Sequence, residues 1–132
     1  MLYENFGAGV DAWRFCSRLV RKLGSAVQEH MWNFDVLRIH EVRNAAVRAA
    51  SKADVVIISV SGHTELPINV REWLDLWLWM GEPVDSALVA LFDSPAAPAA
   101  ASTCNYLRSI ARRARIEFFS PCVRSRVPEQ MR

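Results

Sequence analysis

Two short segments of the chain, Val55–Val60 and Ala87–Phe92, are apolar at nearly every position. Such runs are typical of strands that are buried on both faces in the middle of a parallel sheet. The first run is followed by a polar loop, Ser61–Glu65, and by Pro67, a residue typical of a helix start. Apolar residues then recur at helical spacing over 68–80. The pattern therefore predicts a buried strand, a polar loop and a helix at the centre of the fold.

The helix predicted after Pro67 carries apolar residues on two faces. The face predicted to pack in the core contains Val70, Trp73, Leu74 and Trp77. A second face contains Leu76, Trp79 and Met80. Because an exposed apolar patch usually marks an interface, we expect a homodimer formed through this second face. The alternative is a contact between this face and the end of the chain.

The remaining elements follow from the same patterns of apolar residues, turn residues and caps. Before the central unit we predict a strand in Met1–Asn5, a loop over Phe6–Gly9, a helix from Asp11 to Leu23, a strand centred on Phe34–Ile39 within 27–39, and a helix over Glu41–Lys52. Trp32 is expected just before the second strand, closing the edge of the sheet. After Ala87–Phe92 we predict a helix over Ala99–Ala114, a last strand over Ile116–Phe119 and a loose tail over 121–132.

Strands that alternate with helices predict a parallel sheet with right-handed crossovers. Five strands in so short a chain favour one flavodoxin-like domain over residues 1–120, a three-layer α/β/α sandwich with strand order 2-1-3-4-5. In such a sheet, ligands bind at the carboxyl ends of strands one and three. The loops expected there are Asn5–Gly9, Ser61–Leu66 and Asp93–Pro98.

Composition narrows the classes of function. The chain has 132 residues, 52% of them hydrophobic, which is enough for one domain with a sizeable core. Its net charge of +2 indicates neither nucleic acid nor an acidic membrane as partner, and the arginines at 108, 112, 113 and 115 are expected on a solvated helix face. We expect no membrane span and no secretion signal. Three distant cysteines and three histidines lack metal-ligand spacing, so a reduced, cytoplasmic protein without a metal is expected.

Residues 53–78 resemble the corresponding stretch of the NADPH-dependent FMN reductases. Those enzymes have an Ala-Asp strand start, an apolar run, a loop of the form Thr-Pro-Glu-Tyr-Asn, a proline, a helix and a late Asp-Trp-Leu element. Here Ala53-Asp54, Val55–Val60, Ser61–Glu65, Pro67 and Asp75–Leu78 occur in that order. The resemblance implies a flavodoxin-like protein that binds FMN, or a related nucleotide, and reduces a substrate with NAD(P)H. The residues expected to contact the cofactor are Asn5, Gly7, Gly9, Ser61, Gly62, His63, Thr64, Glu65, Asp93 and Ser94.

Each of these positions also has a structural interpretation. Gly7 and Gly9 offer backbone N–H groups to a phosphate, or they form a tight turn that requires positive φ. Asp11, expected in the first turn of the following helix, would repel a phosphate. His63 is suited to hydrogen bonding or titration near neutral pH. Thr64 or Glu65 is equally suited to cap the helix that follows.

Two alternatives belong to other classes of function. The first loop has neither a hydroxyl nor a basic residue, which favours a non-enzymatic flavodoxin-like regulatory or interaction module that has lost flavin binding. A phosphoacceptor receiver domain is disfavoured, because the end of the third strand reads Ser59-Val60-Ser61-Gly62 without the required aspartate, and because Glu4 stands alone where an acidic pair is needed. A serine or cysteine hydrolase is disfavoured because the chain has no Gly-x-Ser-x-Gly motif.

Overall fold

The computed structural model describes residues 1–24, 28–81, 83 and 85–120. Its centre is a five-stranded, all-parallel sheet of order β2-β1-β3-β4-β5. This is the flavodoxin-like three-layer sandwich that the alternation of strands and helices predicts, so the expected fold class is confirmed. The strands are β1 Leu2–Tyr3, β2 Trp32–Asn33, β3 Val55–Val60, β4 Ala87–Phe92 and β5 Glu117–Phe119. The predicted tail over 121–132 and Cys122 lie outside the described residues.

Helices connect the strands and cover both faces of the sheet. The α-helices are α1 Phe6–Leu23, α2 His40–Ser51, α3 Ile68–Leu76 and α4 Ala100–Ala114. A 3-10 helix spans Phe34–Arg38, and a π-helical segment, Trp77–Gly81, extends α3. None of the described helices is long and apolar enough to cross a membrane.

The two apolar runs form the middle of the sheet, as predicted. β3 and β4 pair over their full lengths, from Val55 opposite Ala87 to Val60 opposite Phe92. Five of the six residues in each strand are buried, because helices cover both faces of these central strands. All three residues of β5 pair with the first three residues of β4, and β5 is a short strand at the edge of the sheet.

The larger core lies between the sheet and α2, α3 and α4. Trp73 and Trp77 are 0% exposed there, and their rings stack with centroids 5.9 Å apart. The predicted core face of α3, which also contains Val70 and Leu74, is therefore confirmed. The smaller core, on the opposite face of the sheet, is formed by Ala12, Cys16, Ile57, Val89 and Leu91.

The prediction of a second strand centred on Phe34–Ile39 is wrong. The strand is Trp32–Asn33, so Trp32 lies within it rather than before it. The Asn33 side chain accepts a hydrogen bond from the Asp35 backbone N–H at 2.8 Å, and this turn starts the 3-10 helix. The apolar run was misleading because Phe34 and Leu37, three residues apart, both point into the core.

The expected loop over Phe6–Gly9 is also wrong, because α1 begins at Phe6. The Asn5 side chain caps the helix by accepting a hydrogen bond from the Ala8 N–H at 2.9 Å. Gly7 and Gly9 are therefore helical and do not form a positive-φ turn, and Asp11 is not in the first turn. A Cβ atom at Gly9 would lie 3.0 Å from the Tyr3 ring, so glycine permits this close approach of helix and strand.

Candidate functional site

The carboxyl ends of β1, β3 and β4 meet at one edge of the sheet, here called the carboxyl edge. This edge brings together Asn5, the loop Ser61–Glu65, and the pair Asp93 and Ser94. Gly7 and Gly9 lie within the first turns of α1, which starts from the same edge. The predicted site residues therefore come from neighbouring strands, and whether they contact a cofactor stays a prediction.

A carboxylate lies directly between β1 and β3 at this edge. Glu4 Oε1 accepts a hydrogen bond from the Ser61 backbone N–H at 2.9 Å, and Glu4 Oε2 accepts one from the Ser61 hydroxyl at 3.4 Å. The backbone N–H of Glu4 donates to the Ser59 carbonyl at 3.0 Å, which continues the pairing of β1 with β3. Glu4 therefore lies at the topological switch point between β1 and β3, where the strand order reverses. This position, marked by Glu4 and Ser61, is here called the crossing point of β1 and β3. From the sequence, Glu4 enters only as a lone acidic residue where a receiver domain needs a pair. Its position directly after the predicted first strand nevertheless indicates that it lies at the carboxyl edge.

The loops after β3 and β4 are joined by backbone hydrogen bonds. The Ser94 N–H donates to the Ser61 carbonyl at 2.9 Å, and the Ala99 N–H donates to the Gly62 carbonyl at 3.0 Å. Gly62 has φ +93°, and a Cβ atom there would lie 2.6 Å from the Ser94 carbonyl oxygen. Only glycine accepts this backbone conformation at such close range. The two loops therefore fill the space between them with their own backbone.

His63 and Thr64 lie on the exposed surface of the β3 loop. The His63 backbone N–H donates to the Ser61 hydroxyl at 3.2 Å. The Ser61 hydroxyl therefore accepts a hydrogen bond from His63 and donates one to Glu4. Within the described part of the chain, the imidazole ring has no hydrogen-bond partner. No described side chain orients His63 as a general base.

Glu65 connects the β3 loop to two helices. Its carboxylate accepts hydrogen bonds from the Ser102 hydroxyl at 2.9 and 3.1 Å and lies 3.4 Å from Arg71 Nη2. Arg71 also donates from Nε to the Leu66 carbonyl at 3.1 Å, and its guanidinium lies 5.2 Å from the centre of the Tyr106 ring. Burial raises the pKa of Tyr106, with a further contribution from the Asp75 charge. Glu65 thus links the β3 loop to α3 and α4, which is a structural role at one of the predicted ligand positions.

The charges at this edge can be compared with what FMN needs. A phosphate is bound in proteins by free N–H groups at a helix start and by basic side chains. Residues 4–9, 61–66 and 93–99 contain no lysine or arginine, but they contain Glu4, Glu65 and Asp93. Asn5 itself occupies the Ala8 N–H. The residues present at the crossing point of β1 and β3 do not fit a phosphate group.

The second predicted feature, the apolar face of the α3 segment, is exposed. Trp79 is 83% exposed and Met80 is 63% exposed, whereas Leu76 is half-buried. These three residues are here called the tryptophan patch. A Cβ atom at Gly81, directly after the patch, would lie 3.3 Å from the Ser51 side chain at the end of α2. Since α3 runs from the carboxyl edge, after β3, back towards the start of β4, the patch at its far end lies at the edge of the sheet opposite to Glu4.

Among the described residues, no group of three or more His, Cys, Asp or Glu side chains is placed to hold a metal ion. Cys16 and Cys104 are free thiols on α1 and α4. Cys16 Sγ lies 3.7 Å from Glu29 Oε2, and burial followed by the Glu29 charge raises the pKa of this thiol. A raised pKa lowers the thiolate fraction, so Cys16 is not an activated nucleophile.

Comparison of the chain with protein-family models, with curated proteins and with solved structures gives no match.

Proposed function

We propose that this chain is a non-enzymatic flavodoxin-like module, which acts through contact with a protein and does not use FMN. The observation that carries the proposal is the pair of hydrogen bonds by which Ser61 binds the Glu4 carboxylate, where β1 meets β3. In doubly wound sheets this crossing point is the place of the ligand. Here the backbone N–H and the hydroxyl of Ser61 already donate hydrogen bonds to the Glu4 carboxylate of the same chain.

Electrostatics supports the same conclusion. A phosphate at about 4 Å from a carboxylate is repelled by about 4 kcal/mol per unit charge in surroundings typical of a protein surface. None of the three loops supplies a lysine or arginine that offsets this repulsion. The hydrogen bonds from Ser94 and Ala99 to the β3 loop also favour a closed edge, because a flat ring placed between the loops would have to break them.

The proposed contact surface is the tryptophan patch, Leu76, Trp79 and Met80. Trp79 exposes most of a large apolar ring, and tryptophan is the residue type most enriched at the centres of interfaces. We assign the patch to a contact with a second copy of the chain, since two-fold homodimers are the commonest assemblies. The free thiols of Cys16 and Cys104 support a reducing, cytoplasmic setting for this dimer.

The first experiment is a titration of the purified protein with FMN, followed by flavin fluorescence, with a flavodoxin apoprotein as positive control. We expect no saturable quenching up to about 1 mM FMN, which corresponds to less than about 4 kcal/mol of binding free energy. Saturable binding at micromolar FMN would overturn the proposal and restore the reductase that the resemblance to FMN reductases implies.

The second experiment measures the assembly by sedimentation equilibrium. Trp79→Ser should weaken the dimer by roughly tenfold or more, the loss expected for a tryptophan at an interface centre. Trp13→Ser is the matched control, because Trp13 is 51% exposed on α1 and lies outside the patch. A wild-type chain that is monomeric at about 100 μM, or equal weakening by both variants, would contradict the assignment of the patch to a dimer.

A further inference from the structure

We propose that the cleft between α4 and the end of β5 binds a small organic carboxylate with an apolar body. The cleft has a volume of about 560 Å³, within the range of small-molecule sites. It lies at the carboxyl edge, at the end opposite to β2. This site is separate from the crossing point of β1 and β3 and from the tryptophan patch, so it goes beyond the proposed function.

One wall of the cleft is apolar. Phe92 ends β4, Pro95 follows in the next loop, Ala100 and Ala101 begin α4, and Phe118 lies on β5. Phe118 pairs with Leu88 in the sheet and therefore points to the α4 side. These side chains offer contact to a hydrocarbon chain or a ring.

The other wall carries a guanidinium that is positioned but not neutralised. Arg108 lies 5.3 Å from the centre of the Phe118 ring. Its Nη1 donates to Asn105 Oδ1 at 2.9 Å, and its Nη2 lies 3.8 Å from Cys104 Sγ. No carboxylate lies within ion-pair distance of Arg108 among the residues that the structure describes. Neutral partners orient this cation, which lies on the exposed face of α4, so its charge is open to a bound anion.

A further polar group in the cleft is unused. Ser120 lines the cleft, and its hydroxyl is buried without a hydrogen-bond partner in the described chain. A buried hydroxyl without a partner is costly, and a ligand oxygen would satisfy it. The arginine fork and this hydroxyl together supply donors to the two oxygens of one carboxylate.

The charge count selects a carboxylate over a phosphate monoester. Arg108 is the only charged residue that lines the cleft as described, so it balances one negative charge and leaves the second charge of a phosphate unopposed. An uncharged alcohol of the same shape would keep the apolar contacts but lose the charge-assisted hydrogen bonds. Discrimination between acid and alcohol is therefore the signature of the site.

The experiment uses 3-phenylpropanoate as probe and 3-phenylpropanol as its neutral counterpart. Cys104 lines the cleft and is partly exposed, so its alkylation by iodoacetamide reports occupancy, with the modified peptide identified by mass spectrometry. We expect saturable protection by the acid and at least about tenfold weaker protection by the alcohol. Equal protection by both compounds, or none up to about 10 mM acid, would overturn the proposal.

Variants of two neighbouring arginines complete the experiment. Arg108→Gln should weaken protection by the acid roughly tenfold, whereas Arg112→Gln, one helical turn further along α4 and outside the cleft lining, should change it less than about twofold. Arg108→Lys keeps the charge and should retain part of the affinity, which controls for a local change of fold. Undiminished protection in Arg108→Gln would contradict the assignment.

Discussion

At the crossing point of β1 and β3, the Glu4 carboxylate accepts two hydrogen bonds from Ser61. At the other end of the same carboxyl edge, the Arg108 guanidinium has only neutral neighbours among the described residues, although Asn105 and Phe118 hold it in place. At one end the acidic group is hydrogen-bonded within the chain, and at the other an exposed arginine has no carboxylate partner among the described residues. Helix α4 separates them, with Ser102 facing Glu65 and Arg108 facing the cleft.

This difference shows that the ligand position expected from the strand order need not be the position whose side chains are suited to bind a ligand. The crossing point is the general ligand position because two loops diverge there. That position binds a ligand only when the diverging loops leave donors and space unused. In this chain the loops after β3 and β4 are hydrogen-bonded to each other, whereas beside β5 the Ser120 hydroxyl has no partner among the residues that the structure describes.

The largest expected effect concerns Gly62, where the loops after β3 and β4 are hydrogen-bonded to each other. Gly62→Ala should lower the free energy of unfolding by about 3 kcal/mol, because the residue has φ +93° and a Cβ atom would lie 2.6 Å from the Ser94 carbonyl oxygen. Gly24→Ala is the control, because Gly24 has φ +66° but no atom within 4 Å of a Cβ, so about 1 kcal/mol is expected. Urea denaturation measures both, and equal losses would show that the contact between the loops is unimportant.

The hydrogen bonds of Glu4 should contribute less. Glu4→Ala removes the acceptor of the Ser61 N–H and should cost about 1–2 kcal/mol in urea denaturation. Glu72→Ala, at an exposed position on α3, is the control and should change stability by less than about 0.5 kcal/mol. If the two variants were equally stable, Glu4 would not hold β1 and β3 together at this edge.

The ion pair of Glu65 with Arg71 should have a smaller effect still. Both side chains are substantially exposed, at 61% and 38%, and the shortest distance is 3.4 Å. Glu65→Gln should therefore cost less than about 1 kcal/mol at low salt, and the difference should shrink at about 1 M salt. Ser102→Ala, which removes the hydroxyl donor and keeps the charge, should show no such dependence on salt, and a strong dependence there would contradict this explanation.

The smallest effect at neutral pH concerns Tyr106, which packs beneath Arg71. Burial raises the pKa of Tyr106 above its ordinary value of 10.0, so folding favours the protonated phenol. The resulting stabilisation is complete below pH 10 and is lost as the pH rises through the raised pKa. Because the chain has two tyrosines, Tyr3→Phe leaves Tyr106 as the only phenol, and its absorbance titration gives the pKa directly. A midpoint at or below pH 10 would contradict the effect of burial.

The parts of the fold that the sequence predicts well are those with one dominant signal. β3, β4 and the core face of α3 agree with the structure because continuous apolar runs and helical spacing have few other solutions. The predicted second strand lies too late in the chain, because Asn33 starts a turn directly before Phe34 and Leu37. The start of α1 was misplaced because Gly7 and Gly9 resemble a loop, whereas Asn5 caps a helix.

The sequence by itself determined the order and type of the elements, and hence which loops reach the carboxyl edge, because hydrophobic periodicity and strand alternation are local properties. Only the tertiary structure decided what those loops do. The Glu4–Ser61 hydrogen bonds join residues 57 positions apart, and the cleft at Arg108 forms where α4 packs beside β5. Such contacts depend on how helices and strands are placed against each other, so which charged groups find a partner within the chain is decided only by folding.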